Sequence, residues 1–289
     1  MNLLAIFQTL LFAPANHQRK VEKALNLSVD VVIIDLEDAC AIDEKVSSRS
    51  LVVQYLKYPR ASKAYVRVNA MSTPFFFQDM NAVITPELDG IVLPKVETPE
   101  DLIIAEWYLS ELEKEKGFPA QSIDLIPIIE TGKGVSNLKR ILENKNRVKR
   151  IAFGAGDFTT DTGMEWNKGI EELYPIRTQI VIESRAAGID PPIDTVYVDL
   201  KDDATLEKET RVAKKIGYQG KLLIHPNQID TVKRAFTPTE EEIQQAKTII
   251  KAFEEAENSG SAAIRVGDKF VDYPIVYKAQ KTLELIRKQ

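Results

Sequence analysis

The chain alternates short, continuous apolar runs with longer stretches in which apolar residues recur every three or four positions. Runs such as VVIID, GIVLP and LIPII show no alternation between apolar and polar positions. Such runs are typical of parallel strands that are covered on both faces. We predict eight strands, at residues 10–14, 31–35, 64–69, 90–94, 125–130, 148–154, 195–200 and 221–225.

The segments between these runs carry helix signals. Asn16 is a candidate N-cap for the helix that follows it, and Thr98 precedes a proline and two acidic residues, a typical helix start. Gly188 ends the helical stretch RTQIVIESRAAG. Strands that alternate with helices predict a parallel sheet, and eight of them favour a (β/α)8 TIM barrel of the α/β class. An open, doubly wound sheet is the alternative.

The pattern changes after residue 225. Thr237-Pro238-Thr239-Glu240 is typical of a capping box with proline at N1, and it opens a long amphipathic helix. A short hairpin is predicted around Gly267-Asp268, and a closing helix follows it. We therefore predict a barrel domain at residues 1–230 and a C-terminal helix–hairpin–helix segment at residues 231–289.

Composition excludes several classes of protein. The chain has 289 residues, of which 44% are hydrophobic, too many for a disordered polymer. Its 38 Lys and Arg face 43 Asp and Glu, so it lacks the excess of positive charge that nucleic-acid binding requires. The single cysteine, Cys40, cannot form an intrachain disulfide, which indicates a reducing compartment, most simply the cytoplasm.

The apolar N-terminus resembles a signal peptide only superficially. It ends in Ala13-Pro14-Ala15, but no Lys or Arg precedes Arg19, whereas a secretory signal begins with positive charge. We interpret this stretch as a buried first strand. No later segment approaches 18 consecutive apolar residues, so we expect no contact with a membrane.

Polar residues at the carboxyl ends of the predicted strands are the candidates for chemistry, because that end of a barrel holds the catalytic groups. Glu130 closes the fifth strand, and Asp157 follows the sixth behind Gly154-Ala155-Gly156. Two carboxylates on neighbouring strands, together with water, suit a hard cation such as Mg²⁺, while helix capping is the alternative for Asp157. The remaining candidates are Asp35, Glu37, Asp38, Arg67, Asn69, Lys95, Asp199 and His225.

Arg67 lies between two valines in YVRVN, where a guanidinium is costly unless it faces the barrel mouth and an anion. The acidic cluster Asp35, Glu37 and Asp38 could bind a metal through water, pair with such an arginine or cap a helix. The two histidines are far apart in the sequence, which argues against a zinc site. No Walker A, GxGxxG or GxSxG motif is present, which argues against P-loop, Rossmann and α/β-hydrolase enzymes.

Ten segments, in order along nearly the whole chain, carry a family resemblance. The chain resembles the citrate lyase β-subunit-like (CitE-like) branch of the HpcH/HpaI aldolase family, which includes malyl-CoA and citramalyl-CoA lyases. The matching segments are LFAPANHQRKVEKAL, VVIIDLEDA, VRVNA, LDGIVLPKVETPEDL, IPIIETGKG, AFGAGDF, DTVYVDLKD, GYQGKLLIHPNQI, AFTPTEEEI and VDYPIVYKAQ.

The resemblance implies a barrel enzyme that binds Mg²⁺, or alternatively Mn²⁺, and cleaves or forms a carbon–carbon bond beside an acyl thioester of coenzyme A. By position in the family motifs, Glu130 and Asp157 are the metal ligands, with Glu130 also near the substrate. Arg67 matches the substrate-binding arginine, and Asp272 of the VDYP segment matches the acid/base residue. The positions that match the lining of the substrate or CoA region are Arg19, Glu37, Asp38 and Lys95.

The resemblance also implies an assembly. The C-terminal segment of such enzymes is a lid over the barrel mouth of a neighbouring subunit, so Asp272 would act in trans within a homotrimer or hexamer. Two departures from the family pattern concern the substrate. Relatives often carry an acidic residue where this chain has Gly156, and a PGxxR-like loop where it has Pro14-Ala15-Asn16-His17.

The predicted function is therefore a Mg-dependent carbon–carbon lyase that cleaves a 3-hydroxy-3-carboxyacyl-CoA, of the citramalyl-CoA or malyl-CoA type, by a retro-Claisen reaction. One alternative is a citrate lyase β chain that cleaves a citryl thioester on an acyl carrier protein. Another is a non-catalytic barrel scaffold, against which the joint presence of Glu130, Asp157, Arg67 and Asp272 argues. An aldolase acting on free 2-oxo acids is disfavoured because the Asp272 segment matches the CoA-lyase branch.

Overall fold

The computed structural model describes residues 6–258 and 260–287. The chain divides into two compact units, Met1–Lys233 and Arg234–Gln289. The first unit is a closed barrel of eight parallel strands in sequential order, with β1 paired to both β2 and β8. The predicted (β/α)8 barrel is confirmed, and the open sheet is wrong.

The strands of the barrel are short and the helices between them longer. The strands are β1 (Thr9–Pro14), β2 (Val31–Asp35), β3 (Lys63–Arg67), β4 (Gly90–Leu93), β5 (Asp124–Ile129), β6 (Ala152–Phe153), β7 (Ile193–Asp194) and β8 (Gly220–Leu223). The helices are α1 (Gln18–Leu25), α2 (Lys45–Leu56), α3 (Phe76–Val83), α4 (Pro99–Glu115), α5 (Gly132–Glu143), α6 (Ala155–Thr162), α7 (Tyr174–Ala186), α8 (Asp203–Ile216) and α9 (Gln228–Phe236). Single 3₁₀ turns precede α2 (Ile42–Glu44) and α7 (Glu171–Leu173).

The interior of the barrel is a packed apolar core rather than a channel. Alternate residues of each strand face inward, as the pleat of a strand requires, and the outward residues pack under the helices. The residues of the inner core are Phe7, Leu10, Val31, Ile33, Tyr65, Val92, Ile126, Ile128, Ala152, Ile193 and Leu222. Both faces of the strands are therefore buried, which explains the continuous apolar runs in the sequence.

The N-terminal stretch is a strand, as predicted, from Thr9 to Pro14. The first five residues of that apolar stretch lie outside the described residues. Among the helices that the structure describes, none combines the length and the apolar character needed to cross a bilayer.

Two of the predicted strands are wrong in extent. The sixth strand is only Ala152–Phe153, and the seventh is Ile193–Asp194 rather than residues 195–200. Ile193 pairs with Ala152 and Gly220, and Asp194 pairs with Lys221, after which the chain leaves the ladder. Val198 is 57% exposed there, so the apolar residues that suggested a buried strand belong to a loop at the barrel mouth.

The helix-end predictions have mixed outcomes. The Thr98 start of α4 is confirmed as a capping box with Asp101, and Gly188 has a left-handed φ of 70° just after α7. The Asn16 cap is wrong. The Asn16 amide donates to the Glu44 carboxylate and does not cap the helix. His17 occupies the N-cap position of α1, and its side chain makes no capping bond.

The second unit contains a helix, a hairpin and a helix. These are α10 (Glu240–Asn258), β9 (Ile264–Val266), β10 (Lys269–Val271) and α11 (Tyr273–Arg287), with β9 and β10 antiparallel. The predicted capping box is displaced by two residues, since Thr239 and Glu242 bond reciprocally in place of Thr237 and Glu240. The small core of this unit is formed by Ala246, Ile249, Phe253, Val271, Val276 and Ala279.

Candidate active site

A cavity of about 360 Å³ lies at the carboxyl ends of the barrel strands. Its wall combines charged residues with a large apolar surface. The lining residues are Phe12, Asp35, Asp38, Ala39, Arg67, Ile128, Glu130, Gly154, Gly156, Asp157, Trp166, Thr195, Val196, Val198, Leu222 and Ile224. Sites of small-molecule enzymes on this fold occupy the same end of the barrel.

Arg67, the last residue of β3, is held by a buried carboxylate. Its Nε and Nη2 atoms donate to the two oxygens of Asp35 at 2.7 and 2.6 Å, a bidentate pair. Burial alone would raise the pKa of Asp35, but the Arg67 charge together with hydrogen bonds from Arg67 and from the Glu37 and Ala39 backbone lowers it overall. Arg67 also lies 4.6 Å from the centre of the Phe12 ring. The guanidinium is therefore fixed in position before any substrate arrives.

Glu37 links this pair to Lys95. Arg67 Nη1 is 2.9 Å from Glu37 Oε2, and Lys95 Nζ is 3.0 Å from Glu37 Oε1. Burial raises the pKa of Glu37. Burial would lower the pKa of Lys95, but its hydrogen bond to Glu37 and the negative charges of Glu37, Asp157 and Asp38 together raise it. Both side chains thus belong to one network of charged contacts with Arg67.

Lys95 has an unusual backbone that serves the neighbouring carboxylate. Its φ of 52° lies in the left-handed region, which costs a non-glycine residue free energy. In this conformation its backbone N–H donates to Glu130 Oε1 at 2.8 Å. The strained turn after β4 therefore orients the carboxylate that follows β5.

Glu130 is a nearly buried acid with little positive charge beside it. Its exposure is 3%, and a Cβ atom at Gly154 would lie only 2.4 Å from Glu130 Oε2. Burial, followed by the negative charge of Glu37, raises the pKa of Glu130 to about 8. Asp157 in the first turn of α6 adds further negative charge and lies 3.9 Å from Lys95 Nζ.

This arrangement fits a hard divalent cation. Four carboxylates and one guanidinium line the cavity among the described residues, and the guanidinium is already paired. The pKa of Glu130 is raised because burial and the negative charges of Glu37 and Asp157 together exceed the opposing effect of Arg67. No three acidic, histidine or cysteine side chains of the described residues converge to enclose a metal. Glu130 and Asp157, completed by water and ligand oxygens, are the kind of open site that Mg²⁺ takes.

A second layer of polar contacts supports the site, and its central residue, Lys45, was not among the sequence candidates. Lys45 is 7% exposed, and its ammonium donates to Leu36 O at 2.9 Å, Glu37 O at 2.6 Å and Asn69 Oδ1 at 2.6 Å. Asn69 in turn donates to Asp79 Oδ2 at 2.7 Å. Lys45 therefore fastens the loop that carries Glu37, although at the first position of α2 its sequence context is that of an ordinary exposed lysine.

The structure brings most, but not all, of the sequence candidates together. Asp38 is at the rim, 3.6 Å from Arg67 and 57% exposed. Arg19 is exposed in the first turn of α1, and within the described residues no ion pair joins it to the cavity. Asp272 belongs to the second unit, where it accepts a bond from Ile275 N at 3.4 Å as the cap of α11.

Two weaker candidates have structural partners instead. Asp199 binds Lys168 at 2.7 Å in the exposed loop after β7. His225 accepts a bond from Asn227 N at 3.2 Å. Sequence reasoning missed Trp166, which lines the cavity from the loop after α6. That loop has no periodic pattern from which its direction could be inferred.

Comparison with known proteins places this geometry among enzymes. The HpcH/HpaI aldolase/citrate lyase family matches residues 8–226. The citrate lyase subunit beta of Leuconostoc mesenteroides subsp. cremoris is 36% identical over 287 residues, which cover 99% of this chain and 95% of that protein. The human mitochondrial citramalyl-CoA lyase is 31% identical over 292 residues, which cover 96% of this chain and 85% of that protein.

A solved structure resembles the chain over nearly its full length. It is the crystal structure of CitE from Mycobacterium tuberculosis in complex with magnesium, acetoacetate and coenzyme A. The TM-score is 0.80 at 26% sequence identity, and the match covers 97% of this chain and 98% of that chain.

Proposed function

The chain belongs to the HpcH/HpaI aldolase/citrate lyase family of carbon–carbon lyases, and we propose that it is a Mg²⁺-dependent lyase of coenzyme A thioesters. Its substrate is a 3-hydroxy-3-carboxyacyl-CoA of the citramalyl-CoA or malyl-CoA type. The products are acetyl-CoA and a 2-oxo acid. The observation that carries this proposal is the buried Glu130 carboxylate, which shares its cavity with Asp157 and the fixed Arg67 guanidinium.

Glu130 and Asp157 hold the metal in this proposal. When bound, Mg²⁺ supplies a Lewis acid and a template for the carboxylate and adjacent oxygen of the oxo-acid portion. The bond from Lys95 N to Glu130 keeps that carboxylate aimed from one side, and the absent side chain at Gly154 leaves room for it on the other. The hydrogen bond and the space at Gly154 together fix the position of the carboxylate before a metal binds, as a metal site requires.

Arg67 stabilises negative charge on a reacting oxygen. Its guanidinium is held by Asp35 and by Glu37, so it does not have to reorganise during the reaction. A donor that is fixed in advance in a cavity shielded from water is worth more than the same donor in water. Cleavage of the carbon–carbon bond leaves an electron pair on the acetyl side, and charge develops on the thioester oxygen.

Asp272 is the proposed acid/base residue, on the basis of its VDYP motif. In cleavage the hydroxyl of the substrate loses its proton to water, protonated Asp272 delivers one proton to the departing methylene carbon, and water then reprotonates Asp272. The reaction therefore balances without an oxidant or reductant. In condensation the same carboxylate takes the proton back. We further propose that Asp272 acts on the barrel of a neighbouring subunit in a homotrimer or hexamer, within the reducing cytoplasm that the single free Cys40 favours.

The proposal is tested with a panel of citramalyl-, malyl- and citryl-CoA, each incubated with enzyme in the presence and absence of Mg²⁺. We expect acetyl-CoA from at least one ester and none once a chelator has removed the metal. Restoring Mg²⁺ after chelation is the control for irreversible damage. No acetyl-CoA from any ester would contradict the proposal.

A citrate lyase β chain is the second candidate, because the Leuconostoc subunit matches 99% of this chain. In that case the thioester sits on an acyl carrier protein, and the partner proteins are separate chains. Cleavage of citryl-carrier protein, with no cleavage of any CoA ester, would favour this candidate over the first.

A further inference from the structure

The cavity has two chemically different halves. Asp35, Asp38, Arg67, Glu130 and Asp157 form a charged half. Most of the rest of the lining is made of apolar side chains from the first, fifth and eighth strands and from the loops after the seventh strand, the eighth strand and α6; one of them, Phe12, packs against Arg67. The members of this apolar surface are Phe12, Ile128, Trp166, Val196, Val198, Leu222 and Ile224. We call these residues the apolar wall.

Trp166 completes this wall because position 156 has no side chain. A Cβ atom built on Gly156 would lie 3.2 Å from Trp166 Cζ3 and 3.9 Å from Cη2, so the indole ring rests directly on that glycine. Gly156 immediately precedes Asp157. An apolar ring therefore stands next to one of the two carboxylates that we assign to the metal, where another side chain at position 156 would compete for the space.

The charged half determines how the substrate lies, provided that the proposed function holds. The carbinol carbon of the substrate carries a hydroxyl, a carboxylate, a thioester-bearing methylene and one further substituent. The hydroxyl and carboxylate turn to the charged half, and the coenzyme A portion beyond the thioester extends out of the mouth because it is too large for about 360 Å³. The remaining substituent then faces the apolar wall.

We propose that Trp166, seated on Gly156, determines specificity by selecting substrates in which this substituent is hydrogen or a short alkyl group. A carboxymethyl group, as in a citryl thioester, would place a third carboxylate against apolar side chains. Arg67 is the single cationic side chain among the described residues that line the cavity, and it is already paired with Asp35 and Glu37. A buried carboxylate without a partner is strongly disfavoured.

The first test compares citramalyl-CoA with citryl-CoA. The two esters differ only in the further substituent on the carbinol carbon, which is a methyl group in the first and a carboxymethyl group in the second. We expect kcat/KM to favour citramalyl-CoA by roughly a hundredfold or more, the range that an unpaired buried polar group produces. Trp166→Arg should reduce that ratio by about tenfold or more because it supplies a cation. Trp166→Phe keeps the wall apolar and should retain the ratio. An unchanged ratio in Trp166→Arg would overturn the proposal.

The second test probes the wall without catalysis. The chain has two tryptophans, and Trp107 is 61% exposed on α4 outside the cavity, so Trp107→Phe leaves Trp166 as the only indole. With Mg²⁺ present, 2-oxobutanoate should change the fluorescence of Trp166, while freshly dissolved oxaloacetate, which carries a carboxylate in place of the terminal methyl group, should bind at least about tenfold more weakly. Equal binding of the two acids would contradict the proposal.

The two tests separate this inference from the proposed function. Selective binding of 2-oxobutanoate without cleavage of any thioester would support the wall and refute the lyase proposal. Cleavage of thioesters together with equal affinity for both oxo acids would refute the wall alone. Turnover and fluorescence, both measured on the full chain, therefore test the two proposals independently.

Discussion

The Glu130 carboxylate occupies a place where its charge is poorly compensated, and this should make its ionisation visible. Burial and the charge of Glu37 raise its pKa to about 8 from 4.5. Between these values the folded chain holds a proton that the unfolded chain has released. The free energy of unfolding of the metal-free protein should therefore fall as pH rises from about 4.5 to about 8.

The slope is large enough to measure, since each pKa unit corresponds to about 1.4 kcal/mol. Denaturant unfolding of the metal-free protein at several pH values checks it. Glu130→Gln removes the titrating group and should flatten this part of the profile. Mg²⁺ requires the ionised carboxylate, so its apparent affinity should rise with pH over the same window. A pH-independent affinity in the wild-type protein would contradict this account.

Gly154 illustrates how a single missing carbon atom permits the arrangement of the site. An added Cβ would lie 2.4 Å from Glu130 Oε2 and 2.7 Å from Glu130 Cβ. Gly154→Ala should therefore displace the carboxylate and weaken Mg²⁺ binding by roughly tenfold or more, the effect typical of disturbing the support of a metal ligand. Calorimetric titration with Mg²⁺ measures it.

A matched control is Gly132→Ala in the first turn of α5, where the new Cβ would meet the Thr162 methyl group at 3.3 Å rather than a carboxylate of the cavity. That variant should bind Mg²⁺ almost as tightly as the wild-type protein. Equal losses of affinity in both variants would indicate a general loss of stability instead of a local effect on Glu130.

At the scale of elements, the connection from β2 to α2 is held in place by side-chain hydrogen bonds from the next helix. Lys45 reaches back from the start of α2 to two backbone carbonyls of this loop and to Asn69 after β3. Asp79 of α3 receives bonds from Asn69 and from Arg49 of α2. Two consecutive βα units, β2–α2 and β3–α3, are thereby joined behind the charged half of the cavity.

Lys45→Met should consequently change both stability and catalysis. Three buried acceptors lose their donor, which should lower the free energy of unfolding by about 2 to 3 kcal/mol. Glu37 loses its fixed position, so kcat should fall more than KM rises. Chemical denaturation and steady-state kinetics measure these effects. Lys57→Met, an exposed lysine at the end of the same helix, is the control and should leave both quantities near their wild-type values.

At the scale of the whole molecule, the two units carry different parts of the proposed machinery. The barrel contains the proposed metal ligands and Arg67, whereas Asp272 lies in the second unit. The net charge of −5 is a sum over the whole chain, so it does not indicate which unit carries the carboxylates that line the cavity. Action of Asp272 in trans is therefore a question about assembly and not about the isolated chain.

Subunit complementation tests this arrangement. Asp272→Asn and Arg67→Lys should each be almost inactive, and Asp272→Asn should still bind Mg²⁺. Mixed oligomers refolded from equal amounts of the two variants should recover activity. Random pairing gives about a quarter of the sites an unaltered Arg67 from one subunit and an unaltered Asp272 from its neighbour. Each variant refolded alone is the control. Recovery no greater than in these controls would mean that Asp272 does not act on a neighbouring barrel.

The sequence by itself determined the barrel and the direction in which to look for its site. Continuous apolar runs report burial on both faces, a local property, and the residues that end them must meet at one edge of the barrel. Glu130, Asp157, Arg67 and Lys95 could be selected on that ground. The prediction of the seventh strand failed because its apolar residues line the cavity mouth rather than the core.

Only the tertiary structure decided how these groups act on one another. The raised pKa of Glu130 depends on its burial and on Glu37, which is far from it in the sequence. The space for its carboxylate depends on Gly154, whose role the sequence pattern does not indicate. Lys45 and Trp166 obtain their roles from contacts with the loop after β2 and with Gly156. Patterns along a chain record which residues are buried, whereas electrostatics and shape depend on distances between residues that only folding brings together.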